Sequence, residues 1–333
     1  MTLTHLRHLP IRLPILFAGL ALIVSSVASI TYASDTSLRG RSLFPLHQVN
    51  NIHPGKVLLG EALFFDVRLS GDNSITCASC HDIDKGGADG LKKAIGINGA
   101  EGPINTPTVF NSVFNISQFW NGRAATLEEQ AAGPVHNPSE MGSNWLDVVT
   151  KLSQDRDLDA QFKEIYDDGI TGENIVNALA MFERTLVTYN APFDNFLRGD
   201  KNAISDIAKH GYELFESYGC ISCHQGANVG GNMYQTMGIM DDYFKERGNE
   251  NAADQGRYDV TGHERDRYVF KVPSLRMVVH TAPYFHDGSA KTLKEAVNIM
   301  ARFQLGRDLP EQDLIPIIAF LESLAGQYKR FSP

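Results

Sequence analysis

The chain has 333 residues, of which 43% are hydrophobic and 21% charged, so it has room for about two packed domains and is too apolar for a disordered polymer. Its formal net charge of -9 argues against nucleic acid as a partner, because phosphate binding requires a basic face. A single long apolar stretch at the N-terminus excludes a polytopic membrane protein, and four cysteines are too few for a disulfide-dense scaffold.

The first residues have the pattern of a secretory signal peptide. Arg7 and Arg12 precede an apolar run that begins at Leu13, and small residues then lead to Ala33. The run approaches the length that spans a membrane, so an uncleaved anchor is the alternative. We expect a signal peptide over residues 1–33 and an exported protein, which in a Gram-negative cell is periplasmic.

All four cysteines belong to two copies of the pattern C-x-x-C-H. The copies comprise Cys77, Cys80, His81, Cys220, Cys223 and His224. In this pattern the two thiols bond to the vinyl groups of a porphyrin, and the adjacent histidine ligates its iron. A redox dithiol does not require the histidine, and paired zinc motifs usually lie only about 15–20 residues apart. We therefore predict two covalently bound c-type haems.

The remaining chain has the spacing of amphipathic helices rather than of strands. Apolar residues recur at helical intervals in 173–189, 205–218 and 311–325, and Ser205 is placed to cap the second of these helices. Few segments alternate with period two, and the Gly- and Asn-rich stretch at 86–106 is typical of a loop. The pattern predicts a mainly α fold of two cytochrome c-like haem domains with long loops.

The duplicated motif also predicts where the domains divide. Asn190-Ala191-Pro192 interrupts the helical pattern between the two motifs. We expect an N-terminal haem c domain over 36–189 and a C-terminal haem c domain over 190–333.

The residues alone leave the sixth ligand of each iron open. Met141 lies 60 residues after His81 and suits a six-coordinate haem, whereas its neighbour Glu140 suits acid–base chemistry in a peroxide pocket. Two low-spin haems, or one low-spin and one open haem, both fit. The candidate methionines of the second domain are Met233, Met237, Met240, Met277 and Met300.

Several long, dispersed stretches carry a family likeness. They are LGEALFFDVRLSGDNSITCASCHD, GPINTPTVFNSVFNISQFWNGRA, EEQAAGPVHNPSEM, GCISCHQGANVGG, TAPYFHDGS and AVNIMARFQLG. Over roughly 43–326 the chain resembles the bacterial di-haem cytochrome c peroxidase family, with some likeness to its tryptophan tryptophylquinone maturase branch.

The resemblance implies a role for each haem and its surroundings. The first haem, with His81 as proximal ligand, is expected to react with peroxide, and the second to accept electrons with Met300 as its sixth ligand. Glu140 matches the distal acid–base carboxylate, Gln130 the distal amide and Trp120 the tryptophan that lies between the haems.

A calcium site and redox partners are implied in the same way. Asn105 matches the calcium ligand at the domain interface, together with the backbone oxygens of Thr281 and Pro283. Hydrogen peroxide is the expected substrate, a small cytochrome c or cupredoxin is the expected electron donor, and a homodimer is the expected assembly.

One position departs from the family pattern. Many members carry a distal histidine that caps the peroxidatic iron, and the aligned residue here is Ile97, which cannot ligate. We expect an open first haem even in the oxidised protein, and we expect His136 to be a surface or pocket residue rather than a substitute ligand.

The sequence thus favours a cytochrome c peroxidase, an oxidoreductase that reduces hydrogen peroxide to water. The alternative is a maturase-like enzyme that oxidises residues of a partner protein, since the maturase also lacks the distal histidine. That enzyme has tyrosine where this chain has Met300, which favours the peroxidase. The pairing of Glu140 with Gln130 argues against a third possibility, a simple di-haem electron carrier.

Overall fold

A computed structural model describes residues 42–332. This part of the chain is mainly helical, with twelve α-helices, short 3-10 turns, long loops and one two-stranded sheet. The predicted mainly α fold is therefore confirmed, and the predicted signal peptide lies outside the described residues. Within 42–332 no helix is both long and apolar enough to cross a membrane.

The helices of the first half surround the first C-x-x-C-H motif. They are α1 (Pro54–Phe64), α2 (Cys77–Cys80), α3 (Leu127–His136), α4 (Trp145–Leu152), α5 (Arg156–Ile165) and α6 (Gly172–Glu183).

The helices of the second half surround the second motif. They are α7 (Pro192–Leu197), α8 (Asp206–Ser217), α9 (Tyr243–Arg247), α10 (Tyr258–Thr261), α11 (Leu293–Leu305) and α12 (Glu311–Ser323). Strands β1 (Tyr234–Thr236) and β2 (Val269–Lys271) pair antiparallel, with Tyr234 opposite Lys271.

The three helices that the sequence predicted are present, and one is shorter than expected. Ser205 caps α8 as predicted, with its hydroxyl accepting from the N–H of Ala208. Helix α6 ends at Glu183 rather than near 189. Beyond it the backbone turns to Asn111, whose N–H donates to the carbonyl of Leu186 at 2.8 Å. A tertiary hydrogen bond therefore replaces the helical one.

Each haem motif follows a helix that crosses a later helix at a glycine. A Cβ on Gly60 of α1 would lie 1.9 Å from the carbonyl oxygen of Ala178 in α6. A Cβ on Gly211 of α8 would lie 1.8 Å from the carbonyl oxygen of Pro316 in α12. Only glycine permits backbones to approach this closely.

At each of the two crossings, a phenylalanine of one helix also packs on a phenylalanine of the other. Phe64 follows the first glycine by one turn and packs on Phe182, with ring centroids 5.2 Å apart. Phe215 follows the second glycine by one turn and packs on Phe320 at 5.0 Å. The two halves therefore repeat one helix-pair motif in front of their C-x-x-C-H segments.

The hydrophobic interior is organised around these helix pairs. One core is formed by α1, α3, α4, α5 and α6, and a second by α7, α8, α11 and α12. A smaller aromatic cluster of Tyr243, Phe244, Phe270 and Phe303 packs against Trp120. The two cores agree with the expected division, although the described residues belong to one compact unit and the domain boundary at 189/190 stays a prediction.

Candidate functional site

The first motif forms a single helical turn that presents its histidine from the C-terminal end. Ser79 steadies the turn by accepting from the N–H of Thr76 at 2.9 Å. His81 follows directly, and its Nδ1 lies 3.3 Å from the carbonyl oxygen of Gly87, which orients the ring. Burial lowers the pKa of His81, so the imidazole is neutral at pH 7, as an iron ligand must be.

The two cysteines of this motif are partly buried. No disulfide links Cys77 to Cys80. Burial raises the pKa of Cys77 to about 12, with a further contribution from the Glu183 carboxyl, and burial raises the pKa of Cys80 to about 11. Their spacing and partial burial fit two thiols that bond to one porphyrin.

The second motif is built differently at its start. Gly219, with φ of 90°, ends α8 and begins a 3-10 turn over Cys220–Ser222. Burial lowers the pKa of His224 to about 4. The backbone of Val229 and of Pro273 acts in the opposite direction on this pKa through hydrogen bonds to the imidazole. A neutral, enclosed imidazole next to two cysteines that form no disulfide fits a haem ligand.

A cavity of about 440 Å³ opens beside the second motif. The sequence-predicted residues that line it are Trp120, Asn105, Cys220, Cys223, His224, Thr281, Pro283 and Met300. The lining is otherwise largely apolar, as expected for a site that encloses a large aromatic cofactor.

The cavity also narrows the choice of methionine. Met233, Met237 and Met300 line it. Met277 instead packs in the first hydrophobic core, and Met240 is 59% exposed. Three of the five candidates therefore face the second motif, and Met300 reaches it from α11.

Glu140 lies close to the first motif, in the loop that follows α3. The amide of Asn137 donates to its Oε1 at 2.8 Å. Burial raises the pKa of Glu140, although Arg123 and Asn137 act in the opposite direction. The charge of Glu140 in turn raises the pKa of Cys80, after burial and Asp89, so the carboxyl and the first motif share one environment.

Ile97 lies against the same loop. Its N–H donates to the carbonyl oxygen of Glu140 at 2.9 Å, and its Cδ1 would be 2.3 Å from a Cβ on Gly142. The position where many relatives carry a distal histidine is thus brought next to the predicted distal carboxyl. Met141, the alternative ligand, is buried in the first core.

Two further residues near this loop differ in their surroundings. Gln130 is half-buried on α3, and within residues 42–332 its side chain makes no hydrogen bond to Glu140. His136 is exposed at the end of α3 and meets Trp145 edge-on, with ring centroids 5.2 Å apart. This packing agrees with the expectation that His136 is not a ligand.

Trp120 is held from both halves of the chain. Its indole N–H donates to the carbonyl oxygen of Asn105 at 3.0 Å, and its own carbonyl accepts from the N–H of Lys271 at 2.8 Å. The second half of the chain also positions Asn105, because the N–H of Asn105 donates to the carbonyl oxygen of His286 at 2.7 Å.

A buried ionic network lies behind Trp120, and the sequence did not predict it. The His286 Nε2 lies 2.6 Å from a carboxylate oxygen of Asp254. Arg247 bridges Asp254 and Asp287, at 2.6 Å from each. His286 lies in the family-like stretch TAPYFHDGS. Its partners come from separate loops, so no spacing in the sequence predicts the network.

Comparison with known proteins agrees with this arrangement. The family profile described as di-haem cytochrome c peroxidase matches residues 54–202. Cytochrome c peroxidase Ccp of Escherichia coli is 48% identical over 93% of this chain and 67% of its own length. Cytochrome c551 peroxidase of Nitrosomonas europaea is 43% identical over 93% of this chain and 92% of its own length. Methylamine utilization protein MauG of Methylophilus methylotrophus is 32% identical over 93% and 96%.

Solved structures share the fold. A MauG-like protein associated with microbial copper homeostasis has a TM-score of 0.75 at 27% identity, covering 85% of this chain and 94% of its own. The di-haem peroxidase BthA of Burkholderia thailandensis has a TM-score of 0.67 at 19% identity, covering 85% and 90%, and this likeness concerns the fold alone.

Fold and site together define a di-haem c-type cytochrome that acts as an oxidoreductase. The chain belongs to the di-haem cytochrome c peroxidase family, and its relatives at 43% and 48% identity are cytochrome c peroxidases. Family membership implies two c-type haems, in agreement with the two C-x-x-C-H motifs.

Proposed function

We propose that this chain is a periplasmic di-haem cytochrome c peroxidase that reduces hydrogen peroxide to two waters. The two electrons come from a small cytochrome c or cupredoxin. The observation that carries the proposal is the half-buried Glu140 carboxyl beside the first motif, with the non-ligating Ile97 packed against its loop. The names of the relatives support the same reaction.

Two haem sites follow from the motifs. Cys77 and Cys80 would bind the first haem, with His81 as the proximal ligand. The residues Cys220, Cys223, His224 and Met300 would hold the second. Bound haem would supply an iron that exchanges electrons and, at the first site, reacts with the oxidant.

Glu140 would carry the proton chemistry. A carboxylate at this position takes a proton from one oxygen of hydrogen peroxide and returns it to the other, which leaves as water. Burial favours this role because it raises the pKa of Glu140 towards neutrality. We assign Gln130 the task of orienting the peroxide and Trp120 a position between the two centres.

A calcium ion would complete the region around Trp120. The amide of Asn105 donates to the carbonyl of Leu91 at 2.8 Å, which fixes the orientation of the side chain and leaves its oxygen as an acceptor. Thr281 and Pro283 line the same cavity as Asn105. An all-oxygen set of this kind suits a hard cation such as calcium.

Ile97 also favours one second candidate, a maturase-like enzyme that oxidises residues of a partner protein. In both reactions the oxidant must reach the first iron, and Ile97 cannot block that iron as a ligand. Met300 separates them, because methionine raises the potential of the second haem and suits electron entry from a donor protein.

Peroxide turnover of the fully oxidised protein tests the proposal. With a reduced small cytochrome as donor, we expect rapid turnover without pre-reduction, because no histidine must leave the first iron. Electron paramagnetic resonance of the oxidised protein should show a high-spin haem. Low-spin signals from both haems, with no high-spin signal, would contradict an open first haem. If peroxide gave no turnover but left a stable oxidised form of the protein, the maturase-like reaction would be favoured.

A further inference from the structure

The cavity beside the second motif has an unusual charge composition. Among the described residues that line it there is no aspartate, glutamate or arginine, and there is a single lysine, Lys271. Apart from two histidines, every other lining side chain is uncharged. Any anionic group that enters this cavity therefore meets one cation.

Lys271 is held firmly at this position. It is the last residue of β2, it pairs across the sheet with Tyr234, and its N–H donates to the carbonyl oxygen of Trp120. The residue is only 8% exposed. Within 42–332 the Nζ atom of Lys271 has no hydrogen bond, ion pair or charged neighbour.

An unpaired buried ammonium is costly, because it loses its hydration without a compensating charge. Burial alone lowers the pKa of Lys271 to about 8. Two arginines of this half have carboxylates instead: the buried Arg276 lies 2.8 Å from Asp194, and the half-buried Arg247 lies 2.6 Å from Asp254. Lys271 is thus a buried cation without a counter-ion among residues 42–332, so an anionic group of the occupant of the cavity would have to supply one.

We propose that Lys271 is the counter-ion of a propionate carboxylate of the second haem. The proposal rests on the proposed function, since it assumes that this cavity holds a c-type haem. A haem carries two propionates, and a carboxylate in a cavity without other cations requires such a partner. Lys271 thereby offsets negative charge near the iron, which favours the reduced state and raises the reduction potential of the second haem.

The test compares Lys271→Met, which removes the charge with little change in length, with Lys271→Arg, which keeps it. Lys201→Met removes the same unit charge at an exposed position and is the matched control. Each purified protein is assayed for haem content by pyridine haemochrome, and its two midpoint potentials are measured by spectroelectrochemical titration.

We expect two haems per chain in every protein and a lower potential for the second haem in Lys271→Met alone. Loss of the second haem in Lys271→Met, with its retention in Lys271→Arg, would equally support the proposal. An unchanged second potential in Lys271→Met, the same shift in Lys271→Arg, or haem loss in both variants would overturn it. A wild-type protein with fewer than two haems would instead refute the proposed function.

Discussion

Two carboxyls near the first motif, one half-buried and one buried, show how burial sets the chemistry of single residues. Burial raises the pKa of both Glu140 and Glu183, the latter to about 8. Glu140 receives a hydrogen bond from Asn137 and lies in the field of Arg123, whereas Glu183 lies beside Cys77. The first carboxyl thus has surroundings that suit the proton transfer proposed for it, and the second is a neutral acid in the core at pH 7.

Substitution of Glu140 tests its role directly. Glu140→Gln keeps the shape of the side chain but cannot accept a proton, so we expect kcat for peroxide to fall by about 10²–10⁴-fold. Haem content and absorption spectra should match the wild type. Glu322→Gln, at an exposed position, is the control and should turn over normally. Undiminished turnover of Glu140→Gln would remove this carboxyl from the mechanism.

Glu183 predicts a specific dependence of stability on pH. Its pKa in the folded protein is about 8, against an ordinary value of 4.5. Between these pH values the folded chain keeps a proton that the unfolded chain releases, so the free energy of unfolding falls as pH rises through this window. Glu183→Gln removes that loss and should be more stable than wild type at pH 8, by on the order of a few kcal/mol.

Thermal unfolding at pH 4.5 and pH 8 checks this prediction. The variant and the wild type should unfold at similar temperatures at the lower pH and should separate at the higher one. An equal difference at both pH values would mean that the substitution changes packing rather than protonation.

Among single residues, the sequence predicts those whose chemistry requires a fixed spacing along the chain. The two C-x-x-C-H motifs are legible because their chemistry requires consecutive positions. The pairing of Arg247 with Asp254, and the isolation of Lys271, depend on loops that meet only in the folded chain. No local pattern marks such contacts.

Among the elements, the crossings of α1 with α6 and of α8 with α12 position the two motifs. At each crossing a glycine brings the two backbones together, so the helix pair is fixed by its shape. Apolar spacing in the sequence predicts α6, α8 and α12. It does not predict the end of α6, because the residue that donates a hydrogen bond to Leu186 is Asn111, which lies far away along the chain.

Gly60→Ala tests the first crossing. Alanine normally favours a helix over glycine by about 1 kcal/mol, but here its Cβ would meet the carbonyl oxygen of Ala178. We therefore expect a loss of about 1–3 kcal/mol in the free energy of unfolding, measured by chemical denaturation.

Gly55→Ala in the same helix is the matched control for this prediction. Its Cβ would meet side chains rather than backbone, namely Cδ1 of Ile165 at 2.9 Å and the ring of His53 at 3.4 Å. The control should therefore change stability little. If Gly60→Ala were as stable as Gly55→Ala, the close approach of α1 and α6 would not be a requirement of the fold.

Across the whole molecule, a buried ion pair ties distant parts of the chain together. Arg276 and Asp194 are fully buried and lie 2.8 Å apart. Asp194 also accepts from the N–H of Leu46, and Arg276 donates to the carbonyl oxygens of Ala227 and Phe44. The pair thereby connects the segment near residue 45 to α7 and to the loops beside the second motif.

Asp194→Asn should accordingly be strongly destabilising. Removal of one partner leaves the Arg276 charge buried and uncompensated, which costs about 3–5 kcal/mol. Glu311→Gln breaks the exposed pair with Lys294 and should cost at most about 1 kcal/mol. Equilibrium denaturation of the two variants gives the comparison, and equal losses would contradict the role assigned to the buried pair.

The repeated helix pair has a consequence for how the two centres come to differ. Since the same glycine and phenylalanine scaffold precedes both motifs, the scaffold itself treats the two irons alike. Under the proposed function, the asymmetry between the centres comes from what each half adds to this scaffold, chiefly the loop of Ile97 and Glu140 in one half and α11 with Met300 in the other. One structural unit would thereby serve an oxidant-binding copy and an electron-accepting copy.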